Sequence, residues 1–467
     1  MREITLHDTL SGKVLPLSPR EPGKVGIYAC GPTVYGRIHV GNARPFVVFS
    51  LLKRFLASEG YEVNLVINVT DVNDKIYTAA TAASISSEQL AREMTAHYIA
   101  DTDALLLGRP DHEPLAGETI PQIISLIEQL IDRGHAYAIE GDVYFSVRSY
   151  PRYGELTHRH VDEMDQGEGV EGAGRKRDPL DFALWKAQKP GEDTAWDTPW
   201  GRGRPGWHIE CSAMAEQLLG LGFEIHGGGS DLAFPHHENE AAQSGAAHGA
   251  PLAQLWVHNG MVRLSAEKMS KSLGNTFLLH EASASYGRDA LLMYFCGGHY
   301  RQPIEFDDER LSEARARVQR IRECARGLVA GATVQPWSRP LKDEFFQALA
   351  EDFNTPRALA ALFAWVREAN RMLDVTGPNT QAVGESDPQS QVGDGDLRAM
   401  LTVLALDGLL DNATPAATPE ALALLEQRQL ARAERDWGRA DEIRDELKAL
   451  GWTVRDGAAG AELLPAE

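Results

Sequence analysis

The sequence predicts an α/β protein whose core is a doubly wound parallel sheet, and three observations point that way. Short apolar runs ending in glycine recur in two separated blocks before about residue 260, the first followed by a helix-length amphipathic stretch. Residues able to do chemistry gather just after these runs, at the carboxyl ends of the expected strands, where open parallel sheets bind ligands. From about residue 307 the strand signal fades and Ala/Leu/Arg/Glu-rich helical patterning takes over.

Lys24 to Cys30 is an apolar run stopped by Gly31-Pro32, and a helical pattern follows from about Asn42 to Ser58, closed by Gly60. Tyr61 to Val69 reads as the next strand, so the opening 75 residues predict a βαβ unit with buried parallel strands. An amphipathic helix and turn are expected between about residues 115 and 140. Residues 141–200, with aromatics scattered among Gly, Pro and Asp, read as an irregular insertion with short strands that splits the sheet into two halves. Strands resume at Gly222–His226, followed by a Gly227–Asp231 turn, and at Leu255–Asn259. Helices are expected from 307 to about 375, and a flexible surface loop over Thr376–Gly395. A helical hairpin around Leu422–Leu450 and a strand-like tail at Trp452–Val454 complete the chain. The expected division is therefore 1–140 and 201–260 for the halves of the sheet domain, 141–200 for the insertion, 261–306 for a lysine-loop region, 307–404 for a helical bundle and 405–467 for a C-terminal domain.

A chain of 467 residues exceeds one hydrophobic core and predicts three or four compact units. Its start lacks the build of a signal peptide and no apolar run is long enough to span a bilayer, which predicts a cytoplasmic protein with no membrane partner. Cys30, Cys211, Cys296 and Cys324 form no CxxC pair and are expected to be reduced thiols. The net charge of −21 excludes a protein that coats nucleic acid indiscriminately. An RNA partner would need a local basic surface. Arg310, Arg315, Arg317, Arg320, Arg322 and Arg326 crowd one helical segment that reads equally as such a surface or as a solvated helix with glutamate pairs.

Two motifs carry the first chemical signal. Glu267-Lys-Met-Ser-Lys271-Ser-Leu-Gly-Asn275 places two lysines three residues apart beside small residues, which suits a mobile loop bringing positive charge to a polyphosphate. Upstream, His39-Val-Gly-Asn42 lies at a strand-to-helix transition, where backbone N–H groups at a helix start approach phosphate. Either alone is an ordinary turn; together, in this order, they indicate an ATP-using, adenylate-forming site. Pro235-His236-His237-Glu238-Asn239-Glu240 places His236 and Glu240 on one helix face, as a metal pair or a surface ion pair. Cys30 and Cys211 are candidate soft ligands or small buried hydrophobes. Gly227–Asp231 fits a close approach to a ribose or a plain tight turn, and Trp207-His208 a pocket wall or core packing.

Taken together, Tyr28–Tyr35, Asn68–Lys75, Gly206–Met214, His226–Asp231, Phe234–Glu240 and the lysine loop resemble the cysteinyl-tRNA synthetase family of class I aminoacyl-tRNA synthetases, over essentially the whole chain. The resemblance implies a Rossmann-like catalytic domain and an anticodon-binding C-terminal end. It also implies one Zn²⁺ bound by Cys30, Cys211, His236 and Glu240, and a cysteine site formed by Gly31, Thr70, Trp207, His226 and Asp231. His39, Asn42 and Asp231 are implied on the ATP, and Lys268 and Lys271 with Mg²⁺ on the leaving pyrophosphate. Asn42 stands where the class has a second histidine, and the segment after Gly457 departs from the family's basic ending. The expected activity is ATP-dependent joining of L-cysteine to tRNA(Cys) by a monomer, without a separate editing domain. Two alternatives stay open at this point: a cysteine ligase of mycothiol synthesis, which joins cysteine to an amino sugar and needs no anticodon reader, and a zinc-stabilised binding protein that has lost activity.

Overall fold

A computed structural model of the chain describes residues 2–164, 174–264, 277–375, 391–411, 418–457 and 460–465. It separates into two compact units, Met1–Gly408 and Leu409–Glu467.

The first unit opens with a hairpin, β1 (Thr5–Asp8) against β2 (Lys13–Pro16). The first crossover then runs from β3 (Lys24–Ala29) through α1 (Val40–Ser58) to β4 (Glu62–Ile67), paired in parallel from Lys24↔Glu62 to Ala29↔Ile67. Val25 to Ala29 are buried without alternation, as a strand covered on both faces requires. The helices α2 (Asp74–Ala83), α3 (Ser87–Asp103) and α4 (Ile120–Asp132) follow.

The insertion is more regular than its composition suggests. It forms a four-stranded antiparallel sheet, β5 (Ala136–Ile139), β6 (Asp142–Phe145), β7 (Phe182–Ala187) and β8 (Gly203–Pro205), extending beyond the expected 141–200 at both ends. Val143, Phe145, Phe182 and Trp185 are fully buried in one core with Ile209 and Ala213 of α5 (Trp207–Leu219). These strands are short and buried along most of their length, so no period-2 pattern marks them.

The second half of the main sheet is β9 (Phe223–Gly229), α6 (Glu238–His248) and β10 (Ala253–Asn259), giving the all-parallel order β10-β9-β3-β4. β9 does not stop at His226. Its pairing with β10 continues to Gly229↔Asn259, and the glycines belong to the strand because α1 lies on it: a Cβ at Gly227 would sit 2.0 Å from the Phe49 ring. Beyond the sheet, β11 (Val262–Leu264) pairs in parallel with β12 (Ile304–Phe306), with α7 (Leu279–Tyr286) and α8 (Arg288–Gly297) between them.

The bundle contains α9 (Asp308–Ala325), α10 (Ser338–Ala350), α11 (Thr355–Val375) and α12 (Gly395–Val403). The arginines of α9 are largely committed within the chain. Arg310 pairs with Asp307, Arg317 with Glu313 and Arg322 with Asp289, Arg315 donates to the Tyr286 carbonyl, and Arg320 lies over Phe363. This favours the solvated, intramolecularly paired helix over a free basic surface. Of the expected loop over Thr376–Gly395, residues 376–390 lie outside the described residues; Val392 and Asp394 are buried and hydrogen-bonded to Val329 and Gly331, so the tract ends in packed structure. The second unit is a helical hairpin, α13 (Pro419–Ala433) and α14 (Trp437–Ala449), followed by a β-hairpin, β13 (Trp452–Gly457) and β14 (Gly460–Pro465). No helix among the described residues is long and apolar enough to cross a membrane.

Candidate metal centre and nucleotide pocket

Four of the residues expected to bind metal converge at the carboxyl edge of the sheet. Cys30 follows β3 directly, its N–H donating to the Gly227 carbonyl at 3.0 Å. Cys211 lies on α5 and Glu240 on α6, while His236 sits in the segment Ala233–His237 that leads into α6 and is kinked at Phe234, which leaves helical φ/ψ. The ligand atoms of Cys30, Cys211, His236 and Glu240 all lie within 4.8 Å of one another, with Sγ of Cys30 3.8 Å from Sγ of Cys211 and 3.6 Å from Oε1 of Glu240. All four side chains are buried.

A metal ion fits this set. His236 Nε2 lies 3.1 Å from Glu240 Oε1, yet it is buried and makes no hydrogen bond. An orphaned imidazole nitrogen facing two thiols and a carboxylate is the donor set that borderline-soft Zn²⁺ takes. Burial holds the Cys30 thiol well above its ordinary pKa, and a cation would reverse that by favouring the thiolate.

A lattice of histidines surrounds the tetrad. His236 Nδ1 is 2.9 Å from His208 Nδ1, and His226 Nε2 is 2.9 Å from Glu240 Oε2, which leaves Oε1 turned to the sulfurs. His237 Nε2 is 3.3 Å from Cys30 Sγ and its Nδ1 is 2.7 Å from His258 Nε2; His258 Nδ1 in turn lies 2.7 Å from Thr9 Oγ1. With the metal-facing nitrogens bare or donating, each contact is satisfied by neutral tautomers, the arrangement that orients metal ligands. Burial pushes His236 and His237 well below the ordinary imidazole range and takes His258 down to about 3. Cys30, His226, His237 and Glu240 form a second cluster of the same span. The nearest nitrogens of His226 and His237 are already hydrogen-bonded to Glu240 and Cys30, whereas that of His236 is not, so the first set is the better ligand set. The sequence reading gave no role beside the tetrad to His237 or His258 and took His208 only as a pocket wall or core packing; the His236-His237 doublet was the local signal for His237.

Beside the tetrad, a cavity of about 300 Å³ is lined by Cys30, Gly31, His39, Gly41, Asn42, Trp207, Gly229, Asp231, Asn259 and Met261, among others. His39 caps α1: its Nδ1 accepts from the Asn42 N–H, and Asn42 Oδ1 accepts from the His39 N–H, each at 3.3 Å. The departure Asn42 thus closes a capping box and fixes the turn that starts α1. Burial lowers the His39 pKa and the Asp231 carboxylate opposes that. Gly31 passes so close to β4 that a Cβ there would lie 1.8 Å from the Asn68 carbonyl oxygen; its N–H donates to Asn68 Oδ1. Trp207 stacks on His236 with centroids 4.2 Å apart. Thr70 is buried, its backbone paired with Pro32 and Val34, and His226 stacks on Trp256; neither is among the residues that line the cavity.

Lys268 and Lys271 lie outside the described residues. The chain on either side of them is anchored on the start of α1: Val40 N–H donates to Phe277 and Leu279 N–H to Ile38, while Arg44 donates to the Gly260 and Met261 carbonyls.

Comparison with known proteins agrees with this geometry. Residues 16–316 match a family model for the class I (C) tRNA synthetase catalytic domain, 344–391 a DALR domain, and 414–462 the cysteinyl-tRNA ligase anticodon binding domain. The cysteine–tRNA ligase of Pelotomaculum thermopropionicum is 44% identical, covering 98% of this chain and 99% of that protein. That of Geobacter sulfurreducens is 43% identical over 98% of each. In fold, the chain is similar to Mycobacterium tuberculosis methionyl-tRNA synthetase in complex with methionyl-adenylate, with a TM-score of 0.60 at 16% identity, over 86% of this chain and 94% of that one. It is also similar to a leucyl-tRNA synthetase of Agrobacterium radiobacter, with a TM-score of 0.61 at 12% identity, over 85% and 86%. Near-full-length identity above 40%, together with catalytic and anticodon-domain matches, leads to one conclusion: the chain belongs to the cysteine–tRNA ligase family of class I tRNA synthetases.

Proposed function

We propose that this enzyme joins L-cysteine to tRNA(Cys) through a cysteinyl-adenylate. The observation that carries the reading is the adjacency, in one cavity, of a buried Cys30/Cys211/His236/Glu240 donor set and a helix start capped by His39. The cysteine carboxylate attacks the α-phosphorus of ATP, and pyrophosphate leaves toward Lys268 and Lys271; a tRNA ribose hydroxyl then takes the cysteinyl group and releases AMP. His39 and Asn42 at the start of α1 hold phosphate, Asp231 anchors the substrate, and Gly31, Thr70, Trp207 and His226 shape the amino-acid pocket. Zn²⁺, held by Cys30, Cys211, His236 and Glu240, would supply selectivity for a soft thiolate over the hydroxyl of serine. Mg²⁺ accompanies ATP and shares its charge.

In this reading the labour divides among two half-domains around the insertion, a lysine-loop region, a helical bundle, and a C-terminal domain that reads the anticodon. We place the enzyme in the cytoplasm as a monomer. The amino-sugar ligase alternative is not favoured, since residues 414–462 match an anticodon-binding domain that such a ligase does not need.

The test is metal analysis combined with cysteine-dependent ATP–pyrophosphate exchange and tRNA charging. About one zinc per chain is expected, with Cys211→Ser and His236→Ala lowering both zinc content and cysteine affinity. A folded, metal-free protein with full activity would overturn the pocket chemistry; exchange without charging would revive the amine-ligase reading.

A further inference from the structure

Three large side chains that line the cavity remain substantially exposed: Trp207 at 36%, Met261 at 42% and Tyr35 at 47%. Trp207 stands against His236 of the metal centre, and Met261 stands next to Gly229 and Asp231 on the nucleotide side. Tyr35 serves neither. It stands in the loop between β3 and α1, which is tied to the chain after β4 by the Val34 N–H to Thr70 carbonyl hydrogen bond, and so opens the third side of the cavity.

The Lys75 ammonium lies over the Tyr35 ring, 5.4 Å from its centroid, and both residues line the cavity. Lys75 is exposed and makes no ion pair with any described residue, although the chain carries a net charge of −21. Its neighbour Asp74 is occupied by Arg204 and Lys186, so it does not neutralise the ammonium. Lys75 also stands in the first turn of the ten-residue α2, whose dipole favours an anion although its own N–H is already capped by Asn73 Oδ1. An exposed aromatic face, an uncommitted cation and a helix start in one corner are the elements that recognise a nucleotide: the base stacks and the phosphate meets the charge.

We propose that Tyr35 and Lys75 receive the terminal nucleotide of the tRNA acceptor strand, holding its ribose beside the adenylate. This rests on the ligase reading above. The same chemistry would suit a nucleotide of ATP, but in the reading above the α1 start and Asp231, which line the same cavity, already serve ATP, which leaves Tyr35 and Lys75 for the RNA.

The experiment uses full-length Tyr35→Ala, Tyr35→Phe and Lys75→Gln. Each is measured by ATP–pyrophosphate exchange and by single-turnover transfer from preformed adenylate to tRNA at several salt concentrations. Tyr35→Ala should slow transfer or raise the tRNA KM by roughly 10- to 100-fold, at least tenfold more than it lowers exchange, and Tyr35→Phe should restore transfer to within about threefold. Lys75→Gln should flatten the dependence of log(kcat/KM) for tRNA on log salt by about 0.7, the loss of one phosphate contact to a single strand. Equal losses in exchange and transfer would assign the corner to ATP or cysteine and overturn the proposal. So would unchanged transfer in Tyr35→Ala, or failure of Tyr35→Phe to restore it. A wild-type enzyme that exchanged pyrophosphate but charged no tRNA would overturn the ligase reading itself, whereas charging by wild type and Tyr35→Ala alike would overturn this assignment alone.

Discussion

Arg44 offers the sharpest test of how the fold positions the lysine segment. It lies five residues after His39 on α1, is 1% exposed, and meets no carboxylate of any described residue. Its guanidinium instead donates to five backbone carbonyls: Nη1 to Gly260 at 2.5 Å and Met261 at 3.1 Å, and Nη2 to His299 at 3.2 Å, Tyr300 at 3.2 Å and Gln302 at 2.7 Å. Burial lowers its pKa to about 10, which still leaves it charged at neutral pH. One side chain therefore ties the start of α1 to the residues just before β11 and just before β12. Arg44→Lys keeps the charge but brings three N–H donors where the two Nη atoms bring four, so at least one more buried acceptor goes unmet at about 1–3 kcal/mol. At about 2.1 cal/mol/K of unfolding entropy per residue, the 408 residues of the first unit give near 0.9 kcal/mol/K, so melting should fall by roughly 1–3 °C. Because Gly260 and Met261 line the cavity, the KM for ATP in the exchange assay should rise while cysteine affinity holds. A calorimetric midpoint within 1 °C of wild type, together with an unchanged ATP KM, would refute the reasoning.

Lys271→Ala should lower exchange on the order of 10²-fold with little change in cysteine affinity, as expected for a charge that acts mainly on the leaving pyrophosphate; a near-wild-type turnover would remove Lys271 from that role. His258, held near 3 when folded against about 6.5 unfolded, binds its proton only in the unfolded chain between those values, so stability should decline as pH falls below about 6.5. The loss at pH 5 should be roughly 1–2 kcal/mol, and His258→Asn should flatten that limb of the denaturation curve; an unchanged slope would mean the imidazole is not held neutral. Ending the chain after Gly408 removes the whole second unit and should leave cysteine-dependent exchange largely intact while tRNA charging collapses; full charging by the folded truncation would show that the anticodon end is dispensable.

The main sheet was legible because buried parallel strands leave apolar runs that end where the chain must turn, as at Lys24–Cys30 and Leu255–Asn259. The antiparallel insertion was not, since β5 to β8 are three to six residues long and separated by Gly- and Asp-rich turns. The glycines of β9 misled for a different reason: they look like a turn, but they stay extended because Phe49 of α1 needs the space a side chain would fill. Arg44 carried no signal at all, because its partners are backbone carbonyls, which every sequence has.

Cys30 and Cys211 lie 181 residues apart, and no spacing rule brings them together. Topology does: β9 pairs directly beside β3, and α5 enters β9 from the face on which Cys30 emerges, so a residue near the start of α5 and one just past the end of β3 meet at the carboxyl edge. His236 and Glu240, at helical spacing, were legible as a pair; what the sequence could not supply was the second partner of each. His208 on His236 and His226 on Glu240 come from a helix and a strand packed behind the ligands, and each fixes which atom of its partner faces the sulfurs. Candidate ligands can thus be named from local pattern and family resemblance, whereas the orientation of their donor atoms depends on contacts between elements. On this argument, His226→Gln should keep the zinc while changing how Glu240 presents Oε1, so cysteine affinity should fall before metal content does. Metal analysis set against cysteine titration decides the point, and a variant that loses zinc first would make His226 a ligand rather than an orienting residue.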